Sequence, residues 1–181
     1  MDLVVRPART GDVPAIHDLV GLYTDDRRLL GKAIVTLYED VQEFLVAVRV
    51  RDGVEDGVVG CGALHVLWAD LAEVRTLAVA PDAVGHGVGT RLLTGLLERA
   101  GRLGVGRVFC LTFETEFFAR HGFERADEVL VDAGVQEELL RSPDEGVAEF
   151  LDLEHVRPNT LGNTRMLLRL GDRSPAVALD D

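Results

Sequence analysis

Three glycines at alternate positions, Gly85, Gly87 and Gly89, interrupt the apolar stretch "VAPDAVGHGVGTRLLTGLL". Glycine packs nothing and costs backbone entropy, so the spacing points to something that must come close to the main chain. A helical period of apolar residues starts at once: Val88, Leu92, Leu93, Leu96, Leu97, Ala100 and Leu103. A glycine-rich turn entering a helix offers free N–H groups and the positive end of the helix dipole, which together hold phosphate. Two common phosphate motifs do not fit. Gly85-His86-Gly87-Val88-Gly89 lacks the spacing of G-x-G-x-x-G, and no Lys precedes Thr90 as a P-loop requires. Just upstream, Glu73 and Arg75 stand two apart in the strand-like "LAEVRTLAVAP" and so share a strand face. His65 alternates into the strand-like "CGALHVLW". The five histidines lack zinc-type spacing with the two cysteines, so no metal is expected.

The elements that must position these residues follow from pattern. Residues 3–8 read as a short strand, and Asp12 as the cap of a helix to about residue 22, with Val13, Ile16, Leu19 and Val20 on one face. "IVTLYEDV" reads as a second short helix. "EFLVAVRV" and "VVGCGALHVLW" read as a hairpin with a generous loop at "RDGVEDG", and "RVFCLTF" as a buried strand. Glu114 and Glu116 suit the start of a helix that ends at Gly122. "VLVDAGVQEELLRS" holds a strand end and another helix, and a last strand lies in "GNTRMLLRL". Residues 1–170 are expected to form one domain and residues 171–181 a disordered tail. The 181 residues carry a formal net charge of −12 and are 47% hydrophobic. That is ample apolar content for a core and the wrong charge for a nucleic-acid surface. No basic-then-apolar leader and no membrane-length apolar run is read, which leads to the expectation of a cytoplasmic protein with Cys61 and Cys110 as buried free thiols. A homodimer is left open beside a monomer.

The segment from Val84 to Gly89, following "LAVAP", resembles the acetyl-CoA loop of the GNAT superfamily of N-acetyltransferases, in which a Gln or Arg precedes the glycines. Val84 occupies that position here. A second segment, "FFARHGF", resembles the family's helix ending in Gly-Phe, and lies in the family's order behind the loop. The resemblance covers nearly the whole chain. It implies an α/β fold: a mixed, mostly antiparallel sheet with helices on both faces. A narrower resemblance, to the acetyltransferase domain of N-acetylglutamate synthases, rests on "LYEDVQEFLVA", "VVGCGALHVLW", "EVRTLAV" and the Leu111-Thr112 pair before "FFARHGF". Longer members of that family carry a preceding kinase-like domain; the chain is expected to be a stand-alone short form.

The resemblance implies acetyl transfer from acetyl-CoA to the α-amine of L-glutamate, the first step of arginine biosynthesis. Leu77, Ala78, Val79, Val84, Gly85, His86, Gly87, Val88, Gly89, Thr90 and Phe118 would hold the acetyl-CoA. The Leu77 and Val79 amides would polarise the thioester and hold pantetheine. Glu73 stands where many relatives place the base that deprotonates the amine. Lys32, Arg75, Asn163 and Arg165 fall where substrate carboxylates are bound, Lys32 as a replacement for an Arg. Phe118 stands where many members carry the Tyr that protonates the leaving thiolate, so that role is vacant. Two readings stay open beside glutamate. One is another amine, such as glutamine, an antibiotic or a protein N-terminus. The other is an acyl-CoA sensor that binds without turnover, which Val84 and Phe118 would favour.

Overall fold

A computed structural model describes residues 2–24, 31–127, 130–142 and 162–171. The expected tail, apart from Gly171, lies outside the described residues, as does most of the segment before the last strand. The strands are β1 (Asp2–Pro7), β2 (Phe44–Arg51), β3 (Val54–Trp68), β4 (Leu71–Val79), β5 (Arg107–Thr112), β6 (Glu124–Arg125) and β7 (Thr164–Arg169). The helices are α1 (Val13–Thr24), α2 (Ile34–Glu39), α3 (Val88–Arg102), α4 (Thr115–Arg120) and α5 (Ala133–Leu139). The strands form one sheet in the order β1-β2-β3-β4-β5-β7-β6. Every pairing is antiparallel except that of β4 with β5.

Alternation along the strands feeds a core on each face of this sheet. On one face Leu92, Leu93 and Leu96 of α3 pack on Leu45, Ala47, Leu64 and Val74, joined by Phe118 and Phe123 at α4. On the other, Val13, Ile16, Leu19 and Val20 of α1 and Leu37 of α2 pack on Phe44, Val46, Cys61 and Ala63. Further along that second face, Leu139 of α5 joins Leu71, Phe109 and Leu167. Cys61 and Cys110 are both free and buried, and burial pushes the Cys61 thiol up to about 12.

Two local readings are corrected. The hairpin between β2 and β3 has a two-residue turn rather than a generous loop: Asp52 (φ 52°) and Gly53 (φ 78°) both take left-handed conformations, the signature of a tight type I′-like turn. The second Asp-Gly in the stretch, ending at Gly57 (φ 91°), falls within β3, beside a shift in the register with β2. Asp12 does not begin α1. It closes a 3-10 turn, accepting from the Arg9 amide at 2.7 Å and pairing with Arg6 at 2.8 Å.

Three glycines make room for helix α3 against the sheet. A Cβ on Gly60 would stand 2.7 Å from Val88 Cγ1, one on Gly62 3.1 Å from Leu96 Cδ1, and one on Gly95 2.9 Å from Leu45 Cδ1. The amphipathic helix can therefore settle onto β2 and β3, and its N-terminal end is fixed beside the end of β4.

Candidate active site

The site begins with a mismatch between two strands. β4 pairs with β5 at only three positions, Leu71 with Arg107, Ala72 with Val108 and Glu73 with Phe109. Beyond them β4 continues against β3, and β5 continues against β7, so the two strands part. A bulge in β4 accompanies the parting. Cys61 faces Ala78 while Ala63 faces Arg75, so Thr76 and Leu77 together oppose Gly62. Thr76 is bent into a left-handed conformation (φ 58°), which is costly for a β-branched residue and marks a site held by its surroundings. Its carbonyl oxygen accepts from the Cys61 thiol at 3.6 Å.

A cleft of about 580 Å³ fills the gap. The tip of β4 from Val74 to Val79 forms one wall and Cys110, Leu111 and Thr112 the other. Cys110 and Phe118 enter it from the α3 side, while Tyr23 and Arg75 enter from the α1 side, so the cleft passes through the sheet. At one mouth stand Val84, Gly85, Gly87, Val88, Gly89 and Thr90.

The glycine loop has the geometry its spacing suggests. Gly85 (φ 83°) and Gly87 (φ 76°) are both left-handed, and a Cβ at either would meet nothing within 4 Å. Their lack of side chains therefore serves backbone shape and open space rather than contact within the protein. Gly87 is the N-cap of α3, and the free amides of the first turn follow it. Gly89 differs: its Cβ would sit 3.4 Å from the Phe117 ring. His86 is exposed, with Nδ1 3.2 Å from the Val84 carbonyl oxygen. Arg49 pairs with Asp82 at 2.6 Å, just ahead of the loop, and holds the Asp82 carboxyl below its usual range.

The Leu77 and Val79 main chains face the cleft for a reason internal to the ladder. The Ala80 amide donates to Val59 on β3, so alternation turns Val79, and Leu77 before it, away from β3. The Tyr23 hydroxyl donates to the Val79 oxygen from the α1 side.

Glu73 is buried at 5% exposure on β4, cross-strand from His65 and from Phe109. Its charge helps burial raise the Cys110 thiol well above the ordinary range. Arg75 lies on the same face, beneath the turn that joins α2 to β2. Glu43, at the end of that turn, takes Arg75 Nη2 at 3.1 Å and His65 Nδ1 at 2.7 Å. Burial pushes the Glu43 carboxyl up, but the His65 hydrogen bond and the charges of His65 and Arg75 outweigh it, and Glu43 sits below its usual range. Lys32 reaches Asp40 at 3.4 Å, and Asp40 also lies 3.9 Å from Arg75. Lys32 and Arg75, far apart in sequence, are thus brought to one corner. Arg165 pairs with Leu111 across β5, and Asn163 just precedes β7, near the Thr112–Thr164 pair. By strand alternation Arg165 shares the α1-side face with Phe109 and Glu73. Phe118 is buried in edge-to-face contact with Phe117 and Phe123.

Tyr23, Thr112, Glu114, Phe117 and Arg120 also line the cleft. Phe117 and Arg120 lie in the helical segment already singled out by its Gly-Phe ending, and Thr112 in the Leu111-Thr112 pair. Nothing in the sequence around Tyr23 marks it, since it reaches the cleft only because α1 crosses the open end of the sheet. Among the described residues there is no grouping of three His, Cys, Asp or Glu side chains that could hold a metal ion, and no helix is long and apolar enough to cross a membrane.

A parallel pair parted by a bulge, beside a glycine loop at a helix N-terminus, defines an acyltransferase of the acetyl-CoA-dependent class. The chain belongs to the acetyltransferase (GNAT) family, whose profile matches residues 16–125. It is 58% identical over 167 residues to an amino-acid acetyltransferase of Mycobacterium tuberculosis, covering 92% of this chain and 94% of that protein. The crystal structure of Rv2747 from Mycobacterium tuberculosis, in complex with CoA and NLQ, matches at a TM-score of 0.86 and 57% identity over 92% of this chain and 99% of that one. N-acetylglutamate synthase from Neisseria gonorrhoeae, complexed with coenzyme A and N-acetyl-glutamate, matches at a TM-score of 0.72 and 27% identity; 94% of this chain corresponds to 35% of that one.

Proposed function

We propose that the chain transfers acetyl from acetyl-CoA to the α-amine of L-glutamate, opening arginine biosynthesis in the cytoplasm, with residues 1–170 as the catalytic domain. The observation that carries this reading is the cleft through the sheet, which has the glycine loop at one mouth and, in Arg75 on its wall, one member of the cluster of paired charges that includes Lys32. The relatives described above, with CoA and an acetylated amino acid among their ligands, support it.

In this reading the amides of Gly85, Gly87 and Gly89, with Val84, His86, Val88 and Thr90 around them, hold the pyrophosphate. The Leu77 and Val79 main chains, flanking Ala78, hold pantetheine along β4 and polarise the thioester carbonyl. Glu73 takes a proton from the ammonium, directly or through water, and the free amine attacks the acetyl carbon. The carbon–sulfur bond breaks, the nitrogen gives up its second proton to solvent, the thiolate leaves and takes up a proton from solvent, and the N-acetyl product departs. Phe118 supplies no phenol for that last proton. Lys32, Arg75, Asn163 and Arg165 hold the carboxylates.

Glutamine is the second reading, and one observation favours it. Lys32 and Arg75 each face a carboxylate of the chain itself, at 3.4 Å and 3.1 Å. Cations already paired attract a second substrate carboxylate less strongly than unpaired ones. A thiol-release assay with acetyl-CoA and each of the twenty amino acids tests both readings. Release with glutamate foremost supports the first, and release with glutamine foremost the second. No release with any amino acid, with acetyl-CoA still bound, leaves an acceptor of another kind, such as an antibiotic or a protein N-terminus, or an acyl-CoA sensor.

A further inference from the structure

The turn between α2 and β2 places two acids where an amino-acid substrate would meet the chain's cations. Asp40 ends α2 and starts the 3-10 turn Val41–Glu43, and its own amide is tied to the Thr36 carbonyl at 2.9 Å. Its carboxylate therefore projects from a fixed backbone. It stands 3.4 Å from Lys32 Nζ and 3.9 Å from Arg75 Nη2, so one acid is shared by two cations. Glu43, three residues on, is committed elsewhere, between His65 and Arg75. Among the described residues, Asp40 is thus the acid that governs how much of the Lys32 charge is left for anything else.

We propose that Asp40 sets the preference between acceptor amino acids whose side chains end in a carboxylate and those whose side chains end in an uncharged amide. The proposal rests on the amino-acid acetyltransferase reading above. An α-carboxylate is common to both kinds of acceptor and cancels from the comparison. The side-chain end does not cancel. A carboxylate brought to the Lys32 corner is drawn by Lys32 and repelled by Asp40, both across partly buried space where screening is weak. An amide carries no net charge and feels neither strongly. Specificity here is a difference between two affinities, and a repulsive group can set it as well as an attractive one.

The test is steady-state kinetics of the full chain with glutamate and with glutamine, at saturating acetyl-CoA. Asp40→Asn keeps the shape and removes the charge. It is expected to raise the glutamate-to-glutamine ratio of kcat/KM by about tenfold, through KM for glutamate rather than through kcat. Asp40→Glu restores the charge and is expected to bring the ratio back toward the wild-type value. Lys32→Gln leaves Asp40 facing the substrate, and should move the ratio in the opposite direction. An Asp40→Asn protein that uses both amino acids at the wild-type ratio overturns the proposal. So does a Lys32→Gln ratio that rises or stays fixed, which remains decisive if Asp40→Asn does not fold. A wild type that acetylates neither amino acid removes the underlying reading instead, and the two failures are told apart by that first measurement.

Discussion

Single side chains decide most in the glycine loop. Gly87 has a left-handed backbone and open space around its missing Cβ. Gly87→Glu should abolish the thermal stabilisation given by acetyl-CoA, because it brings strain, bulk and negative charge to the position proposed for the phosphates. A ligand at a hundredfold its Kd adds about 2.7 kcal/mol, so the lost shift is readily measured. Gly87→Asn, which tolerates the left-handed region, should keep part of it. An unchanged acetyl-CoA affinity in Gly87→Glu would place the phosphates elsewhere. A second prediction concerns Phe118, which is buried against two rings yet lines the cleft. Phe118→Tyr should preserve turnover or raise it modestly, read as kcat. Loss of turnover with acetyl-CoA still bound would show the added hydroxyl to be misplaced or too tightly packed. The glycine spacing could be read from sequence because glycine's physical role there is local. The same holds for Glu73 and Arg75 sharing a face, which follows from strand alternation alone. The partners of Lys32 and Arg75 could not be read that way. The Glu43–Arg75 bond joins residues 32 apart, and only the packed sheet brings them together.

Between elements, the close contact of α3 with β3 is the joint on which the loop's position depends. Gly60→Ala would press a methyl against Val88 and Leu92, with the Ala78 carbonyl behind it. Overpacking of this kind costs about 1–3 kcal/mol, and urea denaturation should report a lowered midpoint. Because Val88 starts α3, acetyl-CoA affinity should fall as well. If stability falls while affinity stays fixed, the helix is being held in place by contacts other than this one. The glycines of "VVGCGALH" carried no signal in the sequence beyond a weakened strand, since their purpose is a helix that packs on them from nearly thirty residues further along. The hairpin shows the opposite difficulty. Two Asp-Gly pairs within "RDGVEDG" were both local turn signals, and only the pairing register selected the first as the turn and left the second inside β3.

For the molecule as a whole, the ion pairs determine how it responds to acid. Asp12, hydrogen-bonded by Arg6, and Asp70, hydrogen-bonded by Arg107, both sit below their usual range, and Glu43 does so despite burial. A carboxyl depressed in the folded state contributes stability above its unfolded pKa. That contribution is lost as pH falls through the folded value, since the unfolded chain binds protons first. The melting temperature should therefore hold from neutral pH down to the ordinary carboxylate range and drop below it. A melting temperature that is flat down to pH of about 3 would mean these pairs contribute nothing to folding. A mostly antiparallel sheet with helices on both faces was accessible from periodicity and family resemblance together, while the strand order and the place where the sheet opens were not, the latter depending on a bulge at Thr76 that no residue type announces. That opening also makes the sheet mechanically uneven. Strands β1 to β4 form one stiff plate and β5, β7 and β6 another, with three residue pairs as the crease between them. A long, thin ligand laid along the crease would act as a splint. Amide hydrogen exchange at residues 74–79 and 110–112 should then slow on adding CoA far more than exchange within β2 and β3. Equal slowing throughout would show that both plates already move as one.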